Sequence, residues 1–213
     1  MKDNTISTLF LDIGGVLLSN GWGREERARA IKHFNLDKEE LNERHHLTFD
    51  TYEEGKLSLT DYLKRVVFYE PREFSEDEFI KFMYDQSRAH QEVIDFFKEM
   101  KTRYSLKVYA VSNEGKELNE FRIKAFKLNE LFDAYISSSY IHLRKPDLDV
   151  FRMAIDISQS QPKNTLYIDD RLMFVEVAQM VGMHGIHSQS LSMLKKQLKA
   201  YLFMIQESSQ ITA

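Results

Sequence analysis

Apolar and polar positions follow two rhythms along this chain, and the rhythm changes twice. The opening stretch Leu9–Leu18 reads LFLDIGGVLL, an apolar run of strand-like composition that meets a carboxylate, Asp12, and then two glycines. On this stretch alone, a strand followed by a turn accounts for the acid. From Ser19 to about Ser87 the period becomes helical: Leu59, Tyr62, Leu63, Val66 and Val67 fall at i, i+3, i+4, i+7 and i+8, one face of an amphipathic helix. Ser75 followed by Glu78 is a capping-box signature, and Phe79, Phe82 and Met83 continue its apolar stripe. Ala30, Ile31 and Phe34 give a similar face to a helix starting near Gly23. No strand pattern interrupts this region, so residues 19–87 read as a helical insertion between 1–18 and 88–213.

After the insertion, helix and strand alternate. A helix is predicted from Gln91 to Arg103, with Val93, Ile94, Phe97 and Met100 inward, then a strand from Leu106 to Ser112 and a helix carrying Leu118 and Phe121. A short strand follows at Ala134–Ser137, and Pro146 is expected to open a helix with Val150, Phe151, Ala154 and Ile155 on one side. Thr165–Asp170, TLYIDD, is a strand ending in acids, and the helix after it stops at Gly182, a residue suited to a left-handed cap. A last strand near Met183–His187 leads into a C-terminal helix, with a frayed tail expected from Glu207 to Ala213. Strands alternating with helices imply a parallel sheet with right-handed crossovers, a doubly wound α/β domain.

Composition narrows the function classes. With 213 residues, 43% hydrophobic, the chain suits one domain or one domain with an insertion, and its 15 Phe and 10 Tyr supply a core. A net charge of −4 without basic runs argues against a nucleic-acid footprint. The absence of cysteine excludes disulfides and thiolate metal sites. With neither a secretory-signal pattern nor an apolar run of the ~20 residues a membrane span needs, a soluble, cytoplasmic protein is expected; oligomeric state stays open.

In a parallel sheet the carboxyl ends of the strands open on one edge, where ligands bind. That edge would gather Asp12, then Ser112 and Asn113, then Asp169 and Asp170, with Lys145 joining from a neighbouring loop. Clustered carboxylates repel one another, and a hard divalent cation is the usual remedy; oxygen ligands without Cys favour Mg²⁺ over zinc.

These motifs, in this order and at strand ends, resemble the haloacid dehalogenase superfamily of phosphohydrolases across nearly the whole chain. The 19–87 insertion resembles the helical cap that many members place between the first and second motifs. The resemblance implies a Mg²⁺-dependent phosphatase of a small phosphorylated substrate, in the manner of sugar-1-phosphate phosphatases. Asp12 would be the nucleophile that forms an aspartyl-phosphate. Ser112 and the N–H of Asn113 would hold phosphate oxygens, and Lys145 would neutralise phosphate and nucleophile together. Asp12, the Gly14 carbonyl, Asp169 and Asp170 would hold the metal.

One position departs from the pattern. Phosphatases of the superfamily usually carry a second Asp two residues after the nucleophile, for proton transfer to the leaving oxygen and from water; here Gly14 stands there. Three accounts remain open: a substrate that leaves without protonation, a proton from a cap residue or Glu114, or a protein kept for binding or regulation. A 2-haloacid dehalogenase also dispenses with that acid but gains only repulsion from Asp169 and Asp170. Trp22 is expected near the substrate or packing cap to core, Arg24 in solvent, and His45 and His46 on the surface. His184 and His187 are expected at a strand edge, and Arg144 and Arg171 flank motif positions within reach of phosphate.

Overall fold

The computed structural model describes residues 6–209. Five parallel strands form one sheet in the order β3-β2-β1-β4-β5. They are β1 (Thr8–Leu11), β2 (Lys107–Ser112), β3 (Ala134–Ser137), β4 (Thr165–Asp169) and β5 (His184–His187). Strand β1 is central, with Leu11 in register with Ala110 of β2 and Ile168 of β4. The pleat sends alternate residues to opposite faces, and the two faces carry separate cores. Leu9 and Leu11 pack with Ile94, Phe97 and Met100 of α5 (Gln91–Tyr104) and Leu194 and Leu198 of α10 (Leu191–Ser209). Phe10 and Tyr167 pack on the other face with Val150, Phe151 and Ala154 of α8 (Leu148–Ser158) and Phe174, Val175 and Ala178 of α9 (Leu172–Met180). Helices on both faces of a parallel sheet make this the doubly wound α/β fold that the alternating pattern predicts. No helix among the described residues is long and apolar enough to cross a membrane.

Between β1 and α5 lie four helices: α1 (Arg24–His33), α2 (Lys38–Glu53), α3 (Leu59–Val66) and α4 (Glu76–Tyr84). They share a third cluster built from Ala30, Leu41, Tyr52, Tyr62, Leu63, Phe79 and Met83, separate from the sheet's two. The capping box at Ser75 is formed, with Glu78 and Ser75 each accepting from the other's backbone N–H. The chain leaves the sheet and returns to it side by side: Leu18 bridges Ala89, and Ser19 N donates to Arg88 O at 2.8 Å.

Several local expectations need correction. The helix expected to open at Pro146 begins at Leu148, because the Asp147 side chain accepts from Asp149 N and so caps it there. The tail expected from Glu207 is still helical through Ser209, and Gln210–Ala213 lie outside the described residues. The longest helix of the insertion, α2, has no apolar stripe of its own in the sequence, since buried His45 interrupts the row made by Leu41, Phe49 and Tyr52. Four elements went unpredicted: α2 as a distinct helix, a single-turn helix α7 (Ser138–Ile141) after β3, and 3-10 turns at Leu128–Glu130 and Pro162–Asn164; α6 (Lys116–Ala125) is the predicted helix carrying Leu118 and Phe121.

Candidate active site

Asp12 follows the last residue of β1, and its backbone N–H donates to Ile168 O at 3.0 Å, which fixes it at the carboxyl edge of the sheet. Beyond it the chain must turn at once. Gly15 takes φ +76, and a Cβ there would run into the Asp170 carboxyl, so only glycine permits this approach. Asp169 closes β4, Asp170 follows it, and carboxylate oxygens of Asp12, Asp169 and Asp170 come within 4.8 Å of one another. Lys145, 1% exposed, enters from the loop before α8 and donates its Nζ to Asp12 at 3.0 Å, Asp169 at 2.7 Å and Tyr167 Oη at 3.0 Å. Tyr167 Oη in turn donates to Asp169. Tyr167 and Asp169 sit two apart on β4 and so share a face, a signal that the strand period carried.

Charge in this enclosure is not balanced by the protein alone. Burial pushes the Asp12 carboxyl up to about 7; Lys145 opposes the rise, and Asp169 and Asp170 add to it. Burial also raises Asp170, with Asp169 beside it contributing. For Lys145, burial works against the ammonium, but Asp12 and Asp169 outweigh it and hold the group above its ordinary value. Burial likewise disfavours the charged Asp169, yet Lys145, Tyr167 and the Arg171 N–H hold it below the usual carboxylate range. The ammonium contacts two of the three carboxylates, and Arg171 offsets Asp170 only through space. An all-oxygen cluster with excess negative charge fits a hard divalent cation.

The other sequence-selected residues occupy the same edge. Ser112 ends β2; it is buried, and its Oγ has no hydrogen-bond partner among the described residues. The Asn113 side chain does something the sequence did not foretell: Oδ1 accepts from Lys145 N at 2.8 Å and Nδ2 donates to Lys145 O at 2.9 Å. This two-point clamp sets the loop from which Lys145 reaches the carboxylates. Gly14 lines the cavity beside Asp12. A Cβ added there would lie 3.4 Å from Asn20 Oδ1 and 3.6 Å from Glu114 Oε1. Glu114 accepts from Arg122, which is wholly buried and also donates Nη2 to Ser19 O at 2.5 Å.

A cavity of about 860 Å³ opens over this edge and extends under the helical insertion, with Asp12, Asn113, Glu114 and Lys145 on its floor. Trp22 lines it, donating its indole N–H to Tyr62 Oη at 2.9 Å and packing edge-on against Phe79. Arg144 ties the floor to the insertion through Asp50 at 2.6 Å and Glu53 at 2.7 Å. Arg171 and Arg24 are exposed and line the cavity, and His46 is exposed as expected. His45 is not on the surface: it is 8% exposed and its Nδ1 meets Tyr62 Oη at 2.7 Å. Its place in the α2 stripe buries it among the aromatic rings of the insertion. His184 and His187 lie on β5, the edge strand, with His187 Nε2 2.9 Å from Asp170 O.

Among solved structures, the fold is shared with the HAD family enzyme bt-2542 of Bacteroides thetaiotaomicron, at a TM-score of 0.76 and 22% identity over 89% of this chain and 98% of that one. The same enzyme in complex with magnesium and inorganic phosphate gives a TM-score of 0.74. The chain is also 30% identical over 96 residues, 44% of its length, to the drimenol cyclase drtB of Aspergillus calidoustus. It is 36% identical over 58 residues, 27% of its length, to the sesquiterpene phosphatase astK of Aspergillus oryzae. These stretches take in 18% of the cyclase and 30% of the phosphatase, so the chain spans well under two thirds of either. A wider match covers residues 6–182, and by it the chain belongs to the haloacid dehalogenase-like hydrolase family.

Proposed function

We propose that this hydrolase is a Mg²⁺-dependent phosphatase of small phosphorylated metabolites, such as a sugar phosphate, and that it works through a phosphorylated Asp12. One observation carries the reading: the Lys145 ammonium contacts Asp12 and Asp169 together, while Asp170 completes a triad of carboxylates within 4.8 Å. An Asp12 oxygen attacks phosphorus in line, and the bond to the leaving oxygen breaks, leaving an acyl phosphate. Water then attacks that phosphorus, the bond to Asp12 breaks, and inorganic phosphate departs with the carboxylate restored. Lys145 offsets the repulsion between nucleophile and phosphate. The unpartnered Oγ–H of Ser112 and the N–H of Asn113 supply donors for the phosphate oxygens. Asp12, Asp169, Asp170 and the Gly14 carbonyl would hold Mg²⁺, which when bound neutralises the triad and polarises the phosphate.

Proton traffic falls to Glu114. It is the cavity carboxylate beside Gly14, 3.6 Å from where a side chain at that position would begin. It hands a proton to the leaving oxygen and takes one back from the attacking water. Residues 19–87 act as a cap over the chemistry carried by 1–18 and 88–213; their separate hydrophobic cluster and adjacent points of departure and return support this division. The magnesium and phosphate bound by bt-2542 and the phosphatase astK support the same reaction class. Adjacent acids at Asp169 and Asp170 would only add repulsion to a metal-free dehalogenase site.

The test is hydrolysis of p-nitrophenyl phosphate with Mg²⁺ and with a chelator, in the wild type and in Asp12→Asn. Turnover is expected only for the wild type with Mg²⁺. Turnover that survives Asp12→Asn rejects the nucleophile. Failure to hydrolyse any of a panel of sugar phosphates, nucleotides and acyl phosphates replaces the phosphatase with a binding protein.

A further inference from the structure

The cavity is much larger than one phosphate group, and at about 860 Å³ it has the size of a site for a whole small molecule. Its charged lining sorts into paired and unpaired groups. Asp12 is paired with Lys145, Glu53 with Arg144, and Glu114 with Arg122. Arg24, Arg27 and Lys38 also line it, and none of them has an ion pair among the described residues. Of the acids nearest in sequence, Glu25 and Glu26 both reach Arg29, and Glu26 acts on Arg27 only through space.

Helical geometry explains the arrangement. Arg24, Arg27, Ala28 and Ile31 fall at i, i+3, i+4 and i+7 of α1, so one face of that helix fronts the cavity. Lys38, Asn42 and His45 do the same at i, i+4 and i+7 of α2. Arg27 donates Nη1 to Trp22 O at 2.9 Å, but its Nε is buried with no partner among the described residues. A buried guanidinium N–H without an acceptor is costly and calls for one.

His45 adds a donor of fixed direction. The Trp22 indole can only donate, so Tyr62 Oη accepts from it and has its own proton left for His45 Nδ1. With Tyr62 assigned as that donor, the His45 proton sits on Nε2, which has no partner among the described residues. Burial, with Arg27 and His46 nearby, pushes this imidazole down to about 3, so the ring remains a neutral donor.

We infer that the cap wall formed by Arg24, Arg27, Lys38 and His45 is a second anion-binding subsite. The substrate class is then a phosphate monoester bearing a further anionic group, a second phosphate or a carboxylate, at its far end. The scissile phosphate lies against Lys145 and Asp12, and the remote group is neutralised by the three cations and takes a hydrogen bond from His45 Nε2. This rests on the phosphatase reading and narrows it.

The experiment compares matched substrates on the full chain with Mg²⁺: phenyl phosphate against 4-carboxyphenyl phosphate, and a sugar 1-phosphate against its 1,6-bisphosphate. The partner with the second anionic group, in at least one pair, is expected to show kcat/KM about tenfold higher, through KM (about 1.4 kcal/mol), and the two pairs separate carboxylate from phosphate. In Arg27→Gln, and independently in the exposed pair Arg24→Gln/Lys38→Gln, that ratio should fall to near one. A ratio near one in the wild type, or an unchanged ratio in both variants, overturns the subsite. Calorimetric binding of phenylphosphonate against 4-carboxyphenylphosphonate needs no turnover. Tighter binding of the carboxylated probe without hydrolysis of any phosphate keeps the subsite and removes the phosphatase, whereas hydrolysis with equal binding and equal kcat/KM removes the subsite alone.

Discussion

The sheet edge and the helical insertion handle charge in opposite ways. At the edge, Asp12, Lys145 and Asp169 are buried and held together: Lys145 has three oxygen partners, and Asn113 fixes its backbone from both sides. On the insertion, Arg24 and Lys38 stand exposed without ion pairs among the described residues, and the insertion's own packing is aromatic, with Phe34, Phe74 and Phe79 in mutual contact. A preorganised polar cluster lowers a barrier because its dipoles need not reorient during reaction. Unpaired cations on helices lack that rigidity but can adapt to what arrives. On the proposed reading, the difference separates a region that does the chemistry from one that chooses its object.

The comparison is broken most forcefully at Lys145. Lys145→Met is expected to lower kcat by about 10³-fold, the scale for losing a buried charge-stabilising donor, in steady-state assays with Mg²⁺ present. A loss below tenfold would move the reacting centre away from this lysine. Next comes Arg122, wholly buried and partnered with Glu114. Arg122→Met strands that carboxylate and should cost about 3–5 kcal/mol in urea unfolding; the double variant with Glu114→Gln should recover part of it. An equal cost in single and double variants would show that the pair is not the source.

Glu114→Gln alone sharpens the chemical side. Its loss should slow hydrolysis of an alkyl phosphate by about 10²-fold and that of p-nitrophenyl phosphate far less, since nitrophenolate leaves without a proton. Equal slowing of both substrates would make Glu114 a structural acid. The effect confined to acid pH belongs to the insertion. His45 stands at about 3 in the fold against an ordinary 6.5, so the unfolded chain takes up its proton first as pH falls. Its contribution is intact above pH 6.5 and lost on descent toward 3, with stability falling by up to about 1.4 kcal/mol per pH unit. His45→Gln should flatten that limb of a pH series of urea melts, and identical slopes would refute the assignment.

Much of the sheet was legible because its strands announce themselves by composition and end in polar residues at the same edge. Asp12, Ser112, Asp169 and Asp170 each lie at or just past a strand end, so the parallel topology alone brings them near one another. What escaped notice depends on burial from a distance. Arg122 looks like an ordinary helical surface charge until Glu114 and Ser19 O are placed over it. His45 hides the stripe of α2 because a hydrogen bond to Tyr62 makes a polar ring acceptable inside. Pro146 misled because proline suits a helix start in general, while Asp147 offered a better cap one residue later. Local pattern reports which groups end a strand; it is silent about which distant side chain will neutralise them.

The bridge between Leu18 and Ala89 closes everything from Ser19 to Arg88 into a loop whose two feet touch. A chain that lengthened, shortened or wholly exchanged the material above those feet would leave the strand register below undisturbed. If the insertion acts as the proposed cap, the molecule resembles a tool with a fixed handle and a detachable bit, and descent with transplanted bits would give one hydrolytic engine a changing clientele.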